Sequence, residues 1–135
     1  MTTRKFAHYS HVPKGYWRWP HFTPREMACH HCGELVVHEE TMDAAERMRR
    51  QTREPAVINS AYRCPRYNAL AGGAPLSMHK FGRAHDEARR GRAGEFLEAG
   101  ATAAGFKGIG CYITFIHKDT GGRRAWGVWK KGSAS

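Results

Sequence analysis

The chain has no long apolar segment. No run of eighteen apolar residues occurs among its 135 residues, and the N-terminal stretch carries basic residues without a continuous apolar core. A membrane-spanning helix needs about 20 apolar residues, and a secretory signal needs a shorter apolar region of its own. We therefore expect a soluble protein that is made in the cytoplasm with neither a transmembrane segment nor a signal peptide.

Cysteine is also scarce. The chain has four cysteines and only one Cys-x-x-Cys pair, Cys29 and Cys32, with Cys64 further along. An unexported chain with so few cysteines does not have the composition of a disulfide scaffold. Three alternatives stay open for these thiols: a structural zinc site with His30 or His31 as a further ligand, buried free thiols, or a late disulfide.

Acidic residues are outnumbered by basic ones. The 22 lysines and arginines against 12 aspartates and glutamates give a formal net charge of +10. A charge of this size attracts polyanions by several kT. Because the basic residues are scattered and form no recognisable nucleic-acid motif, anionic cell-envelope polymers are the favoured partner over nucleic acid.

Potential metal ligands are concentrated in the segment SMHKFGRAHD, residues 77–86. His79 and Asp86 stand seven residues apart, and the small residues between them let the backbone turn tightly around a bound group. His117 follows about thirty residues later in a β-branched and aromatic run that is typical of a strand. Three such ligands, with the fourth position left to water, indicate a catalytic zinc rather than a structural one.

The same segment resembles a known family. It matches, position for position, the SxHxxGxAxD pattern of the zinc D-Ala-D-Ala carboxypeptidase family, which includes VanY-like enzymes and phage L-alanyl-D-glutamate endolysins. INSAYRCP, at 58–65, is similar to the family's SGYRCP segment, and NALAGGAPLS, at 68–77, is similar to its lead-in. GIGCYITFIHKD resembles the closing block of the family, so the likeness covers about residues 22–126.

The resemblance implies a zinc metallopeptidase acting on the D-amino-acid-containing stem peptide of bacterial peptidoglycan. The bond cleaved would be the one that a D,D-carboxypeptidase or an L,D-endopeptidase hydrolyses. The protein would be a phage endolysin or a virion-associated lysin. Such a protein acts at the cell wall or periplasm, after release from the cytoplasm or carried in a virion. The alternative is a non-catalytic cell-wall-binding or virion structural module on the same fold, as in the related Hedgehog domain.

The general base is the point at which the chain departs from the family pattern. Relatives carry an acidic residue three positions before the last histidine ligand, where this chain has Thr114, which cannot take a proton at neutral pH. This substitution favours the non-catalytic alternative. Asp119 is the first substitute as base, because it lies two residues after His117 and so on the same face of a strand. His85, beside Asp86, is the second.

Three further residues are expected to serve the substrate. By resemblance, Arg63 binds a substrate carboxylate or polarises the scissile carbonyl, for which its planar fork of donors is suited. Tyr62 precedes it at the end of the same predicted strand, and Ser77 is expected to orient a ligand or the loop through its hydroxyl. The intact ligand set and Arg63 favour an enzyme.

The predicted fold is α+β, a Hedgehog/D-Ala-D-Ala peptidase-like small antiparallel sheet with helices on one face. The segment Thr23-Pro24-Arg25-Glu26 predicts the start of a helix. A second helix is predicted over 41–51, with Met42 and Met48 on its core face, and a third is predicted to begin near Gly94. In that last helix, Phe96, Leu97, Ala101 and Ala104 form the core-facing stripe, and Cys111 is expected in the core beyond it. The predicted strands lie near 56–60, 84–88, 108–118 and 124–129.

Three regions are predicted along the chain: an N-terminal basic and aromatic arm at 1–21, the zinc peptidase domain at 22–129, and a polar tail at 130–135. Proline and glycine interrupt any periodicity in the arm, which therefore reads as extended. Trp17 and Trp19 are expected to pack on the domain. The arm is also the segment available to virion or tail partners.

Overall fold

The structure is a computed structural model that describes residues 2–127. It has a five-stranded sheet, a separate two-stranded sheet and four α-helices, so the α+β class is confirmed. The elements in chain order are β1 (Thr3–Phe6), a first 3-10 helix (Tyr9–His11), α1 (Pro24–Met27), β2 (Leu35–His38), α2 (Glu39–Thr52), β3 (Ile58–Ser60), α3 (Pro65–Leu70), a second 3-10 helix (Met78–Phe81), β4 (Ala84–Ala88), α4 (Gly94–Ala104), β5 (Gly108–Cys111), β6 (Phe115–Asp119) and β7 (Arg124–Gly127).

The large sheet has the order β3-β4-β6-β5-β7, and its last strand differs from the prediction. The predicted strand over 108–118 is a hairpin of β5 and β6, and β7 pairs in parallel with β5, whereas an antiparallel sheet was predicted. Both edges of β6 are already occupied, by β4 and β5. A strand that reverses direction after β6 cannot pair with β6 itself, and it joins the free edge of neighbouring β5, where it runs parallel. Positions 128–135, with the end of the predicted last strand and the polar tail, lie outside the described residues.

The N-terminal segment is built into the domain. Residues Thr3–Phe6 form β1, which pairs with β2 in antiparallel register. Trp19 is 1% exposed in the main hydrophobic core, and Trp17 packs against that core. The structure therefore confirms that the two tryptophans pack on the domain.

The main core lies between α2, α4 and the large sheet. Met42, Met48 and Cys111 are buried as predicted, and so are three members of the α4 stripe, Leu97, Ala101 and Ala104. Phe96 is 46% exposed, so its place in that stripe was wrong. Within residues 2–127 the longest helix has 14 residues, and no described helix combines the length and apolar character that crossing a membrane requires.

Strands β4 and β6 present different residues to the two faces of the large sheet. Asp86 and His117 are directly opposite each other, and so are His85 and Lys118 in the adjacent pair. Because side chains alternate along a strand, the first pair faces one side of the sheet and the second faces the other. Lys118 is fully buried beneath Met48 of α2, so the second face is the helix-covered core.

This core face contains a buried ion pair. The Lys118 ammonium donates to Glu87 at 2.6 Å and lies over the ring of Phe106 at 5.0 Å, and Arg92 donates to the same carboxylate at 3.0 Å. Glu87 is 2% exposed. Removing one partner of such a pair leaves a buried charge without compensation.

We expect Glu87→Gln to lower the free energy of unfolding by about 3–5 kcal/mol, measured by urea denaturation. The exposed Glu40→Gln on α2 is the control and should change it by less than about 0.5 kcal/mol. The double variant Glu87→Gln, Lys118→Met should recover much of the loss, because the Lys118 ammonium, the more deeply buried of the two cations, is no longer left without its partner. A single variant as stable as the parent would contradict the assigned role of the pair.

Candidate active site

His79, Asp86 and His117 come together in the structure. One ligand atom from each lies within 4.8 Å of the other two, so the group could hold a metal ion. The Asp86 Oδ1 atom is 3.2 Å from His79 Nε2 and 3.0 Å from His117 Nδ1. The sequence segment 77–86 and the distant strand β6 therefore converge on one point, as predicted.

The turn between His79 and Asp86 depends on two residues of the motif. Ser77 caps the second 3-10 helix, where its hydroxyl accepts from the His79 backbone N–H at 3.2 Å. Gly82 ends this helix in the left-handed region at φ +69°, and a Cβ there would lie 2.5 Å from the Val36 carbonyl oxygen. Only glycine fits this conformation and space, and the chain then enters β4 with Asp86 facing His79.

Each imidazole is fixed through its outer nitrogen. His79 Nδ1 donates to the Ala61 carbonyl at 2.6 Å, and His117 Nε2 donates to Asp119 Oδ2 at 2.6 Å. When the imidazoles are neutral, the nitrogens that face Asp86 keep their lone pairs; when an imidazole is protonated, the same nitrogen donates to Asp86. Two neutral imidazoles held by outer hydrogen bonds, together with one carboxylate, form a donor set that suits zinc.

The electrostatics of Asp86 match this role. Burial opposes its ionisation, but hydrogen bonds from His117 and His79 hold the pKa of Asp86 well below its usual range. Burial likewise opposes protonation of His117, while the hydrogen bonds to Asp119 and Asp86 raise its pKa overall. Asp86 therefore carries its negative charge at neutral pH.

Asp119 lies behind the His117 ring. It is fully buried, and its carboxylate accepts from His117, from the Gly121 N–H at 2.9 Å, and from both terminal nitrogens of Arg124 at 3.1 and 2.8 Å. Burial raises the pKa of Asp119, but the hydrogen bonds from His117 and Arg124 lower it overall. A carboxylate in this position is placed to hold an imidazole, because its oxygens already have partners.

Arg63 stands beside the metal-ligand group. Its Nη2 donates to Asp86 Oδ2 at 3.3 Å, and its Nε donates to the Ser60 hydroxyl at 3.1 Å. The backbone N–H of Arg63 donates to the His79 carbonyl at 3.0 Å, which ties the end of β3 to the second 3-10 helix. The structure therefore brings the predicted substrate arginine to the predicted ligands.

These residues open into a pocket of about 300 Å³. One side is aromatic: the rings of Tyr112 and Phe115 are stacked at 4.4 Å, and the Trp126 indole N–H donates to the Tyr112 hydroxyl at 2.9 Å. The Trp126 ring lies 5.3 Å from that of His117. The other lining residues that bear on function are Arg63, Ser77, Met78 and Arg124.

Arg124 and Trp126 were not predicted as site residues, because they reach the pocket only through the parallel pairing of β7 with β5. The two glycines of strand β5, Gly108 and Gly110, did carry a sequence signal for these residues. A Cβ at Gly108 would lie 2.3 Å from Asp119 Oδ1, and one at Gly110 would lie 2.3 Å from Trp126 Cε2. These glycines leave the space that the Asp119–Arg124 pair and the indole occupy.

Besides Asp119, which is fully buried, two predicted site residues do not line the pocket. His85 is 2% exposed on the helix-covered face, where its ring packs edge-on against Phe106. Burial and the nearby Lys118 charge lower the pKa of His85. Tyr62 is also buried, and its hydroxyl donates to Glu34 at 2.9 Å. Burial and this contact raise the pKa of Tyr62 above its usual range.

A second cluster of metal-ligand type contains Cys29, Cys32 and Cys64, whose sulfur atoms lie within 4.8 Å of one another. All are free thiols. Burial raises the pKa of Cys29, but hydrogen bonds from the backbone N–H groups of Cys64, His31 and Cys32 lower it overall. Burial and the two neighbouring thiols raise the pKa of Cys32 to about 11.

A comparison with family models agrees with this geometry. The model described as Peptidase M15 matches residues 20–119, which is well over half of the chain and includes all three residues of the His-Asp-His group. No curated protein matches the chain.

Proposed function

We propose that this chain, which belongs to the Peptidase M15 family, is a zinc peptidase that hydrolyses the D-amino-acid-containing stem peptide of bacterial peptidoglycan. One observation carries the proposal. His79, Asp86 and His117 present ligand atoms within 4.8 Å of one another in a pocket that is also lined by Arg63 and Arg124. A metal-ligand set beside two guanidinium groups suits a peptide substrate that carries carboxylates.

The metal ligands have separate tasks in this proposal. His79 Nε2, His117 Nδ1 and an oxygen of Asp86 would hold the zinc, and the Ala61 carbonyl and Asp119 would keep the two rings in place. The chemistry that bound zinc supplies is polarisation of the scissile carbonyl and a lower pKa for the attacking water.

Arg63 and the pocket wall would bind and orient the substrate. The guanidinium of Arg63 is held by Ser60 and Asp86, and its remaining donors are available to a substrate carboxylate or to the scissile carbonyl oxygen. Tyr112, Phe115 and Trp126 form an apolar wall of the same pocket, which would reduce the access of water to a bound substrate. Arg124 both pairs with Asp119 and lines the pocket, so it adds positive potential there.

The peptidoglycan substrate is supported by the resemblance of segments 58–65, 68–77 and 108–119 and by the charge of the chain. The stem peptide and the anionic polymers of the envelope are both negatively charged, and a formal net charge of +10 attracts them. Within this proposal the protein acts at the cell wall as a phage endolysin or virion-associated lysin.

A non-catalytic cell-wall-binding module on the same fold is the second candidate, and one observation favours it. Among the described residues that line the pocket, Asp86 is the one carboxylate, and it is engaged by both histidines and Arg63. Thr114, at the family's acidic position, lies in the exposed β5–β6 turn. A pocket of this kind can bind a peptide without a dedicated proton acceptor.

Digestion of purified peptidoglycan separates the two candidates. We expect zinc-loaded protein to release muropeptides with a new terminus, and mass spectrometry of these products identifies the bond as that of a carboxypeptidase or an endopeptidase. Asp86→Asn should bind the wall and release nothing, since it lacks the ligand carboxylate. Wall binding without any product from folded, zinc-loaded parent would establish the binding module instead.

A further inference from the structure

We propose that Cys29, Cys32 and Cys64 form a second, structural zinc site, separate from the His-Asp-His group, that fixes the segment carrying Arg63. The three sulfur atoms come from two places in the chain, the turn between α1 and β2 and the start of α3. They lie within 4.8 Å of one another. Sulfurs bound to one tetrahedral zinc, at about 2.3 Å each, stand roughly 3.8 Å apart, so small side-chain movements suffice to bind the ion.

The turn that carries two of the cysteines is shaped for metal binding. The Gly33 N–H donates to the Cys29 carbonyl at 2.8 Å, and the Cys29 N–H donates to the Glu34 carbonyl at 2.8 Å. Gly33 has φ +80°, a conformation that favours glycine, and it closes a Cys-x-x-Cys-Gly turn. This turn brings Cys29 and Cys32 to the same side, where both sulfurs can reach one ion.

A backbone N–H group points at one of the sulfur atoms. The Cys64 sulfur accepts from the Tyr67 N–H at 3.3 Å. Such hydrogen bonds stabilise negative charge on sulfur, which is the form that binds a metal. Three soft thiolates select zinc over the hard cations that prefer oxygen ligands.

The surroundings indicate a structural rather than a catalytic role. Cys29 and Cys64 are buried with Tyr62 in a small cluster that is separate from the main core. Cys32 is exposed, so the fourth coordination position can be taken from the solvent side, by water or by the exposed His31, whose ring stacks on Tyr67. So small an apolar cluster contributes little stability by itself, and a metal cross-link would hold its two segments together.

The site has a direct connection to the pocket. Cys64 immediately follows Arg63, and the Tyr62 N–H donates to the Met27 carbonyl at 3.2 Å. A zinc bound by Cys64 and the α1–β2 turn would therefore fix both flanks of Arg63, the residue whose guanidinium contacts Asp86. Loss of this zinc should loosen the arginine without removing any ligand of the other site.

Metal content tests the proposal directly. Protein purified under reducing conditions without chelator should contain two zinc ions per chain by elemental analysis. Cys32→Ala should contain one, and so should His79→Ala, which changes the other site. Cys111→Ala, which removes the cysteine outside the cluster, should contain two. Cys32 is exposed, so its replacement should not prevent folding.

Cobalt provides a second readout that is independent of activity. Parent protein and His79→Ala loaded with Co²⁺ should both show thiolate-to-cobalt charge-transfer absorption, and Cys32→Ala should show it weakened or lost. Removal of the cysteine-bound zinc should also lower the temperature of thermal unfolding. One zinc in the parent that disappears with His79→Ala would overturn the proposal. A second zinc that persists in Cys32→Ala, or a disulfide among these cysteines in the reduced purification, would overturn it equally.

Discussion

Replacement of His79 by alanine should remove one zinc ion per chain and reduce peptidoglycan hydrolysis by about 10³-fold or more. In the proposed zinc site, His79 supplies a ligand nitrogen whose orientation is fixed by the Ala61 carbonyl, and no other described histidine lies in the pocket except His117. Metal-assisted activation of water and carbonyl provides several kcal/mol of transition-state stabilisation, and about 1.4 kcal/mol corresponds to each tenfold change in rate. Elemental analysis and the rate of muropeptide release measure the two effects.

His85→Ala is the matched control. His85 is as buried as His79 and lies on the same short segment, but it packs on Phe106 at the opposite face of the sheet. Its replacement should lower stability through lost packing and leave zinc content and the rate of hydrolysis nearly unchanged. An inactive His85→Ala variant that retains zinc and fold would show that His85 is the general base, the role for which the sequence made it the second choice. The active site would then not be confined to the face of the sheet that carries Asp86 and His117.

The second large effect concerns Asp119, for which two roles remain as predictions. The geometry favours a positioning residue: Asp119 holds the His117 ring and is itself neutralised by Arg124. In that role, Asp119→Asn should lower zinc affinity and activity by about 10–100-fold, and excess zinc should restore much of the activity. In the role of general base, zinc affinity should be unchanged and turnover should fall by about 10²–10⁴-fold at any zinc concentration.

The pH profile of the variant separates these roles further. A lost base removes the acidic limb of the dependence of kcat on pH, whereas a misplaced ligand leaves the limb and lowers the plateau. Arg124→Gln is the control, because it keeps the Asp119 carboxylate and its bond to His117 while it removes the neutralising charge. We expect a smaller loss from Arg124→Gln than from Asp119→Asn. Unchanged zinc affinity together with a lost acidic limb would contradict the positioning role.

Local sequence patterns were sufficient for the metal-ligand group. The distance between His79 and Asp86 is set by one tight turn, and the turn depends on Ser77 and Gly82, which lie between or beside them. The position of His117 on a strand followed from β-branched and aromatic neighbours. Ligand identity is a property of residue type, so it needs no tertiary information.

The roles of the neighbouring residues could not be read from the sequence in the same way. Strand alternation correctly placed Asp119 on the same face as His117, but it could not show that Asp119 lies behind the ring and that Arg124 occupies its remaining oxygens. The adjacency of His85 to Asp86 suggested a shared site, whereas alternation places these two side chains on opposite faces.

The sequence by itself determined the family, the α+β class and the three residues able to bind a metal, because each depends on residue type and on spacing within short segments. The tertiary structure alone decided the wall of the pocket and the meeting of three cysteines from two places in the chain. Strand β7 joins the free edge of β5, and this pairing brings Trp126 beside His117 and Arg124 beside Asp119. Which side chains share a pocket depends on strand order, and strand order is settled by competition for sheet edges across the whole chain.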